Sequence, residues 1–119
     1  MVIAMTVLRP ISLPLHGALE LLTGMLALVA PFALGFTLPG AVVSILVGVC
    51  AIGLALDASQ PSPAASAHAA ADYGLAFGAV LVAVPLAITG DAAAALVLGA
   101  LGLVQLALNT GTRYSARAS

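Results

Sequence analysis

"LHGALELLTGMLALVAPFALGF", residues 15–36, is 22 residues long and carries one charge, Glu20, and one proline, Pro31. A bilayer core about 30 Å thick is crossed by about 20 helical residues. Backbone groups in lipid must bond within their own segment, which leaves a helix. The polar/apolar alternation of a membrane β-strand is missing from this stretch. Three further runs read the same way, at about Gly40–Leu56, Tyr73–Thr89 and Ala92–Leu108. They lie near the short limit for a span, which implies little tilt or a locally thin bilayer.

The rest of the chain agrees. Of 119 residues, 63% are hydrophobic and only 6% are charged, with a mean hydropathy of +1.25. A soluble domain would carry roughly a quarter charged residues, so the solvent for most of this surface is the lipid bilayer. A net charge of −1 leaves no basic patch for nucleic acid. Cys50 is the only cysteine, which excludes an intrachain disulfide and a cysteine metal site. The expected fold is all-α: an integral membrane four-helix bundle, one membrane domain over 1–119.

The breaks between runs are unequal. "TLPG" (37–40) and "TGD" (89–91) are tight turns, whereas "DASQPSPAASAHAAAD" (57–72) reads as a longer linker. This spacing predicts two transmembrane hairpins, 15–56 and 73–110, joined by 57–72. A shift of 54 residues pairs Gly24 with Gly78, Pro31 with Pro85 and Gly48 with Gly102. We read a duplicated two-helix unit, hence parallel repeats. Arg9 precedes the first span, and Arg113 and Arg117 follow the last. The positive-inside rule then predicts cytoplasmic N- and C-termini and a cytoplasmic linker, in a multi-pass protein of the cell (inner) membrane.

Pro31 and Pro85 stand near the outer ends of the first and third spans, one turn before the tight turns. Each removes a backbone hydrogen bond and is expected to bend its helix. "APFALGF" (30–36) resembles the Ser-Pro-Trp signature of the SPW-repeat membrane proteins, with Ala30-Pro31-Phe32 in its place and Val84-Pro85-Leu86 in the second copy. That resemblance implies a small repeat-built membrane protein of undefined biochemical role.

Small residues recur at helical spacing: Gly40, Ser44 and Gly48; Gly74 and Gly78; Ala95, Gly99 and Gly102, with Gly24 in the first span. Flat ridges of this kind let helix backbones approach closely in lipid. Packing within the bundle is their expected role, and docking onto a second copy or a larger membrane complex the alternative.

Glu20 is the sharpest candidate for function, because an acid inside a membrane is costly to keep. It lies close enough to the start of its span to snorkel to the interface. His16 shares its face, four residues earlier, and His68 and Asp72 repeat the pattern. Gln105 and Asn109 lie at similar depth. The four His and acid side chains are conceivable metal ligands. The chain has no characteristic zinc spacing, however, and acids at helix starts have a structural role. Neither a metal nor a cofactor is therefore expected. Snorkelling is the expected role of Glu20, and contact of Glu20, His16 and Gln105 with a proton, a cation or a partner is the alternative. Asp91 reads as the N-cap of the fourth span, and Tyr73 and Tyr114 as interfacial anchors.

No catalytic constellation is present, so no enzyme is expected. The sequence favours a structural, accessory or self-assembling membrane unit. The alternative is a small proton-coupled exporter: Glu20 in "ALELLTG" (18–24) resembles the first-helix glutamate of the small multidrug-resistance transporters, which are similar in length and span number.

Overall fold

The computed structural model describes residues 8–58 and 65–114. Residues 59–64 of the expected linker, and Arg117, lie outside that range. Four helices fill it: α1 Leu13–Leu34, α2 Leu38–Asp57, α3 Ala65–Ile88 and α4 Ala92–Thr110. All four are long and apolar enough to cross a membrane. The architecture is an all-α four-helix bundle of two antiparallel hairpins, α1–α2 and α3–α4, each packed more closely within itself than against the other.

Three of the four helices begin where a side chain satisfies a free N–H group. Ser12 accepts from Leu15 N, Thr37 from Gly40 N and Asp91 from Ala94 N, the last as expected. Gly35 ends α1 at φ 65°, a left-handed geometry that suits glycine. The main departure from expectation is α3. It starts at Ala65, so the second half of the supposed linker, including His68 and Asp72, is helix. Alanine is the strongest helix former, and the alanine-rich run 65–71 extends the span by two turns.

The interior is built from small and polar residues while the large apolar ones face outward. Leu22, Met25, Leu26, Val29 and Phe32 of α1 are all exposed. Buried positions on the same helix follow one stripe: Leu13, His16, Gly17, Glu20, Gly24, Ala27 and Pro31. This inversion is what lipid demands, since tails solvate leucine as well as a protein core does. Backbone meets backbone closely between α1 and α2. A Cβ on Gly48 would lie 2.8 Å from the Gly24 carbonyl oxygen, and one on Gly24 3.0 Å from that of Gly48. Gly102 does the same in the second hairpin, 2.9 Å from the Ala76 carbonyl oxygen. A Cβ on Gly40 would lie 2.8 Å from Ala94 Cβ, in contact with α4.

Not every expected ridge packs. Gly74 and Gly78 are exposed, and a Cβ on either meets nothing within 4 Å. Their face points away from the bundle because α4 lies against Ala76 and Val80 instead. Gly99 makes only ordinary contact, with Ala83 Cβ at 3.6 Å.

Both helices continue through their prolines. Pro31 deprives the Ala27 carbonyl of its helical partner, and the buried Ser44 hydroxyl of α2 donates to it at 2.6 Å. Neighbour-assisted repair of this kind is how a membrane helix accommodates proline. The second hairpin lacks it: Leu98 stands 54 residues after Ser44 and has no hydroxyl to offer the Leu81 carbonyl.

Candidate functional site

Of the seven largest fully buried side chains, only Leu98 is apolar; the others are His16, Glu20, Asn109, Thr112, Asp72 and Ser44. All of these six but Ser44 lie towards one end of the bundle, beside the start of α1 and the C-terminal residues of α4, with Glu20 the deeper of the two on α1. His16 and His68 are each the fourth residue of their helix, and Glu20 and Asp72 each the eighth. Two spacings of four therefore turn both pairs inward. α1 and α3 have little direct backbone contact, so it is these side chains that span the gap between them.

The four groups converge closely. His16 Nε2 lies 3.0 Å from Asp72 Oδ2 and 3.5 Å from Glu20 Oε1. His68 Nε2 lies 3.1 Å from Asp72 Oδ2 and 3.8 Å from Glu20 Oε1. One donor atom from each of the four residues falls within 4.8 Å of the other three. Glu20 does not snorkel. Its side chain is wholly buried, because the helix face that carries it is the one packed into the bundle.

Every one of the four is held from behind. Thr112 Oγ1 gives its single proton to the Leu108 carbonyl at 2.6 Å, so at 2.8 Å from His16 Nδ1 it must accept. The proton therefore sits on Nδ1 and Nε2 faces inward. His68 Nδ1 lies 3.4 Å from Asp57 Oδ2, an acceptor that favours the same tautomer. Gln105 Nε2 donates to Glu20 Oε2 at 2.7 Å and to Asn109 Oδ1 at 2.9 Å. The Tyr114 hydroxyl donates to Asp72 Oδ2 at 2.8 Å, with Asn109 Oδ1 3.1 Å away. Burial, then the Asp72 carboxylate beside it, holds that hydroxyl well above its ordinary pKa, so it stays a donor.

Thr112 and Tyr114 reach the cluster because the segments flanking the bundle pair with one another. Ile11 N donates to the Gly111 carbonyl and Arg113 N to the Ile11 carbonyl, both at 2.9 Å. Tyr114 is thus a buried hydrogen-bond donor and not the interfacial anchor its position suggested. Tyr73 is half-buried and stacks on Phe77.

Three of the four converging atoms are left without hydrogen-bond partners, and the fourth, Asp72 Oδ2, has only the Tyr114 hydroxyl. Among the described residues, His16 Nε2, Glu20 Oε1, His68 Nε2 and Asp72 Oδ1 are buried and make no hydrogen bond. The ring nitrogens are near enough to Asp72 but out of line with it. Sequence reasoning singled out His16, Glu20 and Gln105, and noted His68 and Asp72 as a repeat of the same pattern. It missed Thr112, for which the sequence holds no signal, and Asp57, whose side chain is 80% exposed.

Comparison with known protein families, with curated proteins and with solved structures finds no match for this chain.

Proposed function

We propose that this protein is a non-enzymatic membrane unit whose working part is the His16–Glu20–His68–Asp72 cluster, where it binds a cation. The observation that carries this reading is the convergence of four buried His and acid side chains, each held by a neighbouring residue, with His16 Nε2, His68 Nε2 and Glu20 Oε1 left without hydrogen-bond partners. A bundle needing only to pack would be as stable or more so with apolar residues there. Ionisable groups kept inside a membrane point to ligand handling.

Two carboxylates and two ring nitrogens gathered in one buried place offer a set of donor atoms that suits a positive ligand. Its size speaks for a small one. The donors lie within 4.8 Å of each other. Such a site is too small for the organic cations of a multidrug exporter. Nor does it offer a substrate-sized cleft. The arginines flanking the spans support cytoplasmic termini, which puts the site at the cytoplasmic face of the cell membrane. The matching His/acid pairs, together with the repeated glycines and prolines, support a duplicated hairpin similar to the SPW-repeat proteins.

The test is a thermal-denaturation panel on the purified full chain with metal and organic cations, wild type against Glu20→Gln/Asp72→Asn. Stabilisation by at least one cation, absent in the double variant, supports the reading. A flat response to every cation returns the cluster to a packing role.

A further inference from the structure

Resting on the cation-binding reading, we infer that the ligand is a first-row divalent transition ion of the zinc class, held tetrahedrally by His16 Nε2, His68 Nε2, Glu20 Oε1 and Asp72 Oδ2.

The distances discriminate. Ligands about 2.0–2.1 Å from a tetrahedral ion stand about 3.3–3.4 Å from one another. The four His–carboxylate separations are 3.0, 3.1, 3.5 and 3.8 Å, which bracket that length. Both ring nitrogens lie close to Asp72 yet make no hydrogen bond to it, which leaves them free to ligate.

The donor set discriminates too. Imidazole nitrogen selects zinc, cobalt, nickel or copper over magnesium and calcium, which take six or more oxygens. Two carboxylates and two neutral histidines carry two negative charges, which a divalent ion cancels where the dielectric is low. The bracing completes the pattern of a metal centre. Histidine ligands ordinarily donate their other N–H to a carboxylate or another acceptor, and ligating carboxylates are themselves hydrogen-bonded. His68 has Asp57, His16 has Thr112, Glu20 has Gln105 and Asp72 has Tyr114. Four protein donors leave no open position, so the centre holds its ion and does not activate water. Since two donors come from each hairpin, the ion also joins the hairpins.

The experiment titrates the purified full chain, stripped with a chelator and then freed of it, with Co²⁺ alone. The expected result is one Co²⁺ per chain with the intense visible absorption of a tetrahedral site, bleached by stoichiometric Zn²⁺. Asp72→Asn and His68→Gln are each expected to weaken binding by about a hundredfold or more. Weak absorption of octahedral type, no saturable binding, or unchanged binding in both variants overturns the proposal. The wild-type spectrum needs no variant to fold. If Mg²⁺, Ca²⁺ or an organic cation stabilises the protein and Co²⁺ and Zn²⁺ do not, the zinc-class assignment falls and cation binding stands. If no cation has an effect, both fall.

Discussion

The Ser44 hydroxyl of α2 donates to the Ala27 carbonyl of α1 at 2.6 Å, and Ala27 is the residue whose helical partner Pro31 removes. A break in one helix is thus repaired by its neighbour, which locks the register of the first hairpin. Ser44→Ala leaves that carbonyl unsatisfied and is expected to destabilise the protein by about 1 kcal/mol. Pro31→Ala restores the N–H, so the Ser44→Ala penalty should shrink in the double variant. Unfolding free energies of the four proteins in mixed micelles check this, and an undiminished penalty would contradict the repair.

Gly24 and Gly48 place their backbones in mutual contact, whereas Gly78 faces open space. Gly48→Ala forces a Cβ to within 2.8 Å of a backbone oxygen that cannot swing away. It is expected to cost about 1–3 kcal/mol. Gly78→Ala is expected to cost nothing in the same unfolding assay, and to gain slightly from helix propensity.

At the opposite end of the bundle from the cluster, Asp91 Oδ2 accepts from the Thr37 hydroxyl at 2.6 Å and from Thr37 N at 2.8 Å. The two N-caps of α2 and α4 therefore bond to each other. The Thr37 hydroxyl, with the Ala94 and Thr37 amides, holds the Asp91 carboxyl below its usual range. A depressed folded-state pKa stabilises the protein above the unfolded pKa of about 4, and the benefit disappears as pH falls through the folded value. The stability gap between wild type and Asp91→Asn should be constant from neutral pH down to about 5 and close below about 4. A gap that does not begin to shrink as pH falls below about 4 would assign the effect to something other than the carboxylate.

Tyr114→Phe and Asp57→Asn remove groups that hold Asp72 and His68 while leaving all four donor residues in place. Each is expected to lower metal affinity about 10–100-fold while the helical circular dichroism of the chain stays unchanged. Co²⁺ competition titrations measure this; equal affinities would show that the bracing is incidental.

A bound ion that joins the hairpins also stabilises the fold by mass action. At a free concentration a hundred times Kd the gain is about 2.7 kcal/mol. Stripping the ion should lower the thermal midpoint of wild type, and should leave that of Glu20→Gln/Asp72→Asn where it was.

Helix number and membrane character were legible from apolar run length and scarcity of charge, because lipid permits so few solutions for a backbone. Tight turns at 37–40 and 89–91 announced the hairpins, and Asp91 announced its cap. The start of α3 was not legible: prolines at 61 and 63 suggested a linker, and only helix geometry shows that the alanines after them continue the span. His16/Glu20 and His68/Asp72 were visible as two pairs four residues apart, 52 residues from each other. Periodicity along a helix reveals which residues share a face, but not which way that face turns. That one pair faces the other across the bundle, with Thr112 and Tyr114 drawn in by the pairing of Ile11 with Thr112, was decided by tertiary structure alone. The physical reason is that α1 and α3 belong to different hairpins. Their juxtaposition depends on how small-residue surfaces such as Gly40 against Ala94 let the hairpins close, and no local sequence rule encodes that.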